Sequence, residues 1–293
     1  MPIEAIEILQ FGFMQRAIIA GIAVATISSV IGLFLVLKKH SLFGDAMSHV
    51  AFGGLSLGLF LNLYPIWTAF IFTVLAGLGI TKLRDSITIP PDSAVAILLS
   101  SGLAIGVVLV SISGGFSLDL FSFLFGSILL VSSQDALIIV IASIFVLSIM
   151  SIIYRRLMYI TFDDKQAAVS GINVKLINYL FIVLSAVTVV TSIRLVGVLL
   201  ISALIVLPNI TAMLFGLGFK RTALISISLS IGSVVFGIIG SYIANISPAG
   251  SIVLVNVGVL IGSILMRWTF RSIRSKNMRR FNNTEKSSVS LDN

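Results

Sequence analysis

The stretch SLFGDAMSHVAFGGLSLG, Ser41 to Gly58, lies inside an apolar segment long enough to cross a bilayer, yet it carries an acid, Asp45, and an imidazole, His49. Their four-residue spacing places both on one face of a helix. A carboxylate and an imidazole together can hold a divalent transition metal or pass a proton. Ionisable groups at membrane depth are costly, which makes them markers of a pathway. The alternative is that Asp45 and His49 only satisfy each other or a backbone group. Gly53, Gly54, Ser56 and Gly58 would let a neighbouring helix or a solute approach closely.

Outward from this stretch, the composition is that of a polytopic membrane protein. Of 293 residues, 58% are hydrophobic and 10% charged, with a mean hydropathy of +1.15, which excludes an ordinary soluble domain. There is no cysteine, hence no disulfide and no thiolate metal site. The N-terminal stretch MPIEAIEILQFGF lacks a basic region and a cleavage site, so it is not expected to be a signal peptide. No G-x-x-x-x-G-K-[ST] loop is present, so the chain is not expected to hydrolyse nucleotide itself.

Apolar length predicts nine spans, at about 13–37, 42–63, 65–83, 93–111, 135–154, 176–192, 195–215, 222–243 and 250–267. Segment 119–131, too short to cross, reads as re-entrant or interfacial. Of the 19 Lys and Arg residues, 17 fall on one side of this arrangement. The positive-inside rule makes that side cytoplasmic, with the N-terminus outside and the C-terminus inside. The net charge of +8 belongs to these basic loops rather than to a nucleic-acid surface. Residues 1–274 form the membrane domain, and the polar, basic tail 275–293 is expected to be disordered.

Only Arg16 and Arg194 fall on the outer side. They could anchor at headgroups, pair with an acid such as Asp119, or receive carboxylates of an incoming binding protein through their planar forks. Asp119 and Asp135 flank the short segment and would form an acidic mouth or be idle loop acids. Pro208 should kink or unwind its helix, with Asn209 beside it offering an oxygen to the path or serving only the kink. Phe116, Phe121, Phe123 and Phe125 read as lipid or helix contacts rather than a gate, and His40 as an interfacial residue.

The loop 155–175 carries Asp163, Ala167 and Gly171 at four-residue steps. On a helix these make an acidic start, a small middle and a glycine stop, suited to a groove on another protein or to a plain connector.

Several segments together resemble the membrane subunits of ABC-type zinc and manganese importers, the ABC-3 group. They are GLFLVLKKHSLFGDAMSHVAFGG, DSAVAILLSSGLAIGVVL, FSFLFGSILLVSSQD, FDDKQAAVSGI and LVGVLLISALIVLPNITA. The resemblance implies an all-α bundle like that of vitamin B12 permeases, present as a homodimer in the plasma membrane. It implies a separate cytoplasmic ATPase engaged by the Asp163–Ala167–Gly171 element, and an extracytoplasmic metal-binding protein that delivers the ion. Asp45 and His49 would contact the metal in transit. His40 and Asn209 depart from the family's usual residues, which weakens any inference about the metal.

From His40, His49 lies roughly 14 Å along the helix, near the middle of a ~30 Å core, where an alternating-access site belongs. Two copies of the pair would give four ligands. Ligand chemistry does not separate Zn²⁺, Mn²⁺ and Fe²⁺, and the reading leans slightly to zinc. A permease for an iron chelate or vitamin B12 would not need this pair. A stand-alone secondary transporter would show a duplicated half, and none is evident. An intramembrane hydrolase would need more than two histidines supply.

Overall fold

The computed structural model describes residues 11–86, 90–115, 118–127 and 131–289, with side chains described except at 84–85, 91, 118–119 and 270–289. Phe116 and the side chain of Asp119 lie outside the described residues. Among those described, eleven helices follow in order and no strand occurs: α1 (Gly12–Leu37), α2 (Phe43–Phe60), α3 (Pro65–Ser86), α4 (Pro91–Ile112), α5 (Leu118–Phe125), α6 (Ser133–Phe162), α7 (Asp164–Val169), α8 (Val174–Val196), α9 (Ile201–Met213), α10 (Phe219–Ala244) and α11 (Pro248–Val289). An all-helical bundle is what a lipid environment demands, because each helix satisfies its own backbone groups.

Seven helices (α1, α3, α4, α6, α8, α10 and α11) are long and apolar enough to cross a membrane. The other two expected spans fall short of that measure for different reasons. The 18 residues of α2 are diluted by Asp45, Ser48, His49 and four glycines. The 13 residues of α9 extend only ~20 Å. Within the expected short segment, α5 has eight residues, about 12 Å, too little to cross.

The central helices are α1 and α8, each 67% buried over its most apolar window. α1 packs against α6, α8, α9 and α10, while α2 is held between α3 and α4 and also touches α8 and α9. The largest core joins Ile27 and Ile31 of α1, Met47 and Leu55 of α2, Val146 and Met150 of α6, and Phe181 and Leu184 of α8.

Three boundaries differ from the pattern-based expectation. α6 runs two turns beyond Tyr154 to Phe162 and takes Arg155 and Arg156 into the helix, because no Gly or Pro interrupts it. The backbone of α11 stays helical through Val289, past Ser275 where a disordered tail is expected; the polar stretch contains no Gly or Pro. The third concerns the expected span 195–215. Its first two residues finish α8, and the chain breaks at Gly197 rather than at Pro208, which sits inside α9.

Gly197 adopts a φ of 79° with a ψ of 158°, a region essentially reserved for glycine that costs a residue with a Cβ about 1–3 kcal/mol. Beyond it, Val198 N–H donates to the carbonyl of Phe123 at 2.9 Å and Leu199 N–H to that of Leu124 at 3.3 Å. The backbone freed at the helix break is thereby satisfied by the end of α5. Gly126, at φ 70°, meets this crossing from the other side, and a Cβ on it would lie 2.5 Å from the Leu195 carbonyl oxygen.

This crossing predicts a graded effect. Gly197→Ala should cost about 2–5 kcal/mol, combining strain with a backbone clash. Gly216→Ala, at φ 64° with open space around it, should cost only the strain. Thermal unfolding of the detergent-solubilised protein checks this; equal losses for the two variants would contradict it.

Candidate metal site

The turn from α1 into α2 passes through Lys39 at φ 60° and brings Asp45 into the first turn of α2, where a negative charge favours the helix dipole. One helical turn on, His49 Nε2 lies 3.9 Å from Asp45 Oδ1, with the side chains 16% and 26% exposed respectively. That is too long for a hydrogen bond. It lies within the ~4.2 Å that two ligands, each ~2.1 Å from a shared ion, can span. The buried Nδ1 of His49 has no hydrogen-bond partner among the described residues, so none of them commits the ring through it. Ser48 Oγ donates to the Asp45 carbonyl at 2.7 Å and leaves the carboxylate alone. Among the described residues no group of three or more His, Cys, Asp or Glu gathers here or elsewhere. One chain therefore brings only these two candidate ligands together here.

The structure brings together Asp45 and His49 as their spacing implies, but gives Asn209 a different place. Asn209 is fully buried. Its Nδ2 donates to the Ile205 carbonyl at 2.7 Å, and its Oδ1 accepts from Ser226 Oγ at 2.6 Å. Ser29 Oγ in turn donates to Ser226 Oγ at 2.9 Å. This network ties α9 to α10 and α1 around Pro208, so Asn209 serves the packing.

At the opposite end of the bundle, both singled-out arginines converge on the start of α6. Arg194 Nη1 lies 3.3 Å from Asp135 Oδ2, its Nη2 reaches Tyr64 Oη at 3.4 Å, and its guanidinium stacks 5.2 Å above the Phe123 ring. Asp135 is buried and completes a capping box with Ser132. It is thus not an exposed acid at a mouth, and among the described residues it is the acid that pairs with Arg194. Arg16 Nη1 donates to Ser133 Oγ at 3.4 Å. Phe121 and Phe125 stack at 6.4 Å on α5, while Phe123 faces inward, in line with packing roles. Tyr64 was not singled out by its sequence: a tyrosine after a loop carries no distinguishing pattern.

The connector α7 is short and capped at both ends. Asp163 Oδ1 accepts from Lys165 N and Gln166 N, each at 2.9 Å. At its other end Gly171 N–H returns to Ala168 O and Ile172 N–H to Ala167 O, a Schellman closure with Gly171 at φ 81°. Asp163 and Gly171 thus act as cap and stop. Ala167 is buried against the bundle's own core, so it is not the outward middle of a docking stripe. The outward large apolar groups here are Val169, 90% exposed, with Phe162 and Leu176, among exposed polar residues that include Asp164, Lys165 and Gln166.

A cavity of about 580 Å³ opens at the connector end, walled by Lys38, His40, Phe43, Asp163, Lys165 and Asn178 among others. Asp45 and His49 are not on its wall. Lys38 Nζ donates to Asn178 Oδ1 at 2.7 Å. The cavity therefore lies where α3, α4, α6, α7 and α8 meet the end of α1, away from the ionisable pair.

An all-helical bundle with seven helices long and apolar enough to cross a membrane is a multi-pass membrane protein. The chain belongs to the ABC 3 transport family, whose sequence pattern matches residues 10–267. It is 35% identical over 253 residues to a probable metal transport system membrane protein of Treponema pallidum, covering 86% of this chain and 95% of that one. It is 34% identical to the manganese import system permease protein ScaB of Streptococcus gordonii, covering 91% and 95%. Among solved structures it is similar to PsaBC from Streptococcus pneumoniae in complex with Fab, with a TM-score of 0.81 at 33% identity, covering 90% and 95%.

The Asp135–Arg194 pair makes a prediction about stability. Arg194→Gln or Asp135→Asn alone should destabilise by about 3 kcal/mol, because each strands a partly buried charge. The double variant should lose less than the sum of the singles, by at least about 1 kcal/mol. Thermal melts of the four proteins measure this, and strict additivity would contradict the pairing.

Proposed function

We propose that this chain is the membrane subunit of an ATP-driven importer that carries a divalent transition metal ion, manganese first, into the cytoplasm. The observation that carries the reading is the Asp45–His49 pair on one face of α2 in a chain of this family. The donor set accepts Zn²⁺ and Mn²⁺ alike. The lean to zinc gives way to manganese because the S. gordonii relative is a manganese import permease.

Two copies in the plasma membrane would bring two Asp45–His49 pairs to one ion path, giving four ligands. ATP hydrolysis belongs to a separate subunit on the cytoplasmic face. The basic loops support placing α7 and the C-terminus on that face. Docking of the ATPase falls to the outward side of α7, where Val169, Phe162 and Leu176 present apolar surface. A metal-binding protein delivers the ion from outside. Arg16 and Arg194 are its candidate contacts, Arg194 only through the N–H groups that Asp135 and Tyr64 leave free.

Manganese accumulation by cells that express the chain with its ATPase, and lack other manganese import, tests the reading. Asp45→Asn and His49→Ala should each reduce uptake at least tenfold while the protein reaches the membrane in normal amount. Uptake by both at the wild-type rate would contradict the site. Val169→Asp should reduce co-purification of the ATPase at least tenfold, since a charge in an apolar contact is strongly disfavoured. Unchanged co-purification would remove α7 from the interface.

A further inference from the structure

α2 is not merely surrounded but touched at its backbone. On α4, Gly102 faces the turn that carries His49. A Cβ at Gly102 would lie 2.6 Å from both the nitrogen and the Cα of Val50, and 2.8 Å from the carbonyl carbon of His49. These are main-chain atoms and cannot rotate away. Non-bonded carbons settle at about 3.5 Å, so any side chain at Gly102 must part the two helices by about 1 Å. Further along, α2 also meets α3 closely. There a Cβ at Gly54 would lie 2.7 Å from Ala69 Cα of α3. The α4 contact falls on His49 and Val50 themselves, while the α3 contact falls more than one turn further along α2.

Metal ligation is sensitive to such displacements, since ligand distances hold within about 0.2 Å. We propose that Gly102 is a positioning residue for the Asp45–His49 pair: its missing side chain sets the place of His49 and thereby the strength of ion binding. The inference rests on the metal-transport reading. Gly102 touches no ion; it acts through the backbone of its neighbour.

A second glycine on the same helix separates this role from general packing. Gly106, one turn along α4, would place a Cβ against the ring of Phe52, with the nearest main-chain atom, Gly53 N, 3.4 Å away. Gly106→Ala thus disturbs the same pair of helices without pressing on the His49 backbone.

The test is manganese uptake as a function of concentration in cells expressing the complete transporter. Gly102→Ala should raise the half-saturating concentration at least tenfold with the maximal rate within twofold of wild type. Gly106→Ala should keep a half-saturating concentration within twofold of wild type. The inference is overturned if Gly102→Ala keeps the wild-type half-saturation, or if both variants raise it equally. Should Gly102→Ala not reach the membrane, Gly53→Ala replaces it. Its Cβ would lie 2.9 Å from the Gly102 carbonyl oxygen and opens the same crossing from the α2 side. It should raise half-saturation at least threefold, and a wild-type value would overturn the inference. Absence of manganese uptake by the wild-type transporter would instead defeat the functional reading beneath it.

Discussion

A carboxylate and an imidazole inside an apolar bundle raise its free energy unless they face each other, water or an ion. The structure meets this constraint by putting Asp45 and His49 on one turn of α2, close but not hydrogen-bonded. They are enclosed by α3 and α4 and flanked by α8 and α9. Close enclosure in turn requires neighbours without side chains at the crossings, which accounts for the glycines along α2 and α4. The same polar and small residues lower the hydropathy of α2 below that of the seven spanning helices. A helix that would span poorly alone is thus carried by its neighbours, whose outer faces are apolar.

The rest of the bundle consists of ties that hold this enclosure in shape. At the connector end, Lys38 reaches Asn178 across the α1–α8 junction, and α7 is fixed by its own cap and stop. In the middle, Asn209, Ser226 and Ser29 fasten the short helix α9, whose Ile205 packs against Gly44 beside Asp45. At the far end, the Asp135–Arg194 pair and the Gly126–Gly197 crossing lock α5, α6 and α8 together. Each tie uses a polar group that lipid would otherwise leave unsatisfied, so the polar minority of residues specifies which apolar helices meet.

Much of this was legible beforehand, for identifiable reasons. Apolar length found the long helices, and the i, i+4 rule found the Asp45–His49 pair, because both are local properties. The caps at Asp163 and Gly171 were readable for the same reason. The inward direction of Ala167 could not be read, because four-residue spacing shows that residues share a face but not which way that face points. The partner of Arg194 could not be read, because Asp135 precedes it by 59 residues and several acids were equally eligible. Pro208 drew attention as a breaker, yet Gly197 breaks the chain. A positive φ there is made worthwhile by hydrogen bonds to α5, a long-range feature that no local pattern reveals.

The central claim is that His49 ligates the ion in transit, and the chain holds only one other histidine, His40. The most direct measurement is therefore pulsed electron paramagnetic resonance of Mn²⁺ bound to the purified transporter complex. Samples would carry ¹⁴N- or ¹⁵N-labelled histidine. The account predicts electron spin-echo modulation from an imidazole nitrogen that changes with the isotope, persists in His40→Ala and vanishes in His49→Ala. Bound Mn²⁺ showing no imidazole coupling, or a coupling that survives His49→Ala, would contradict it.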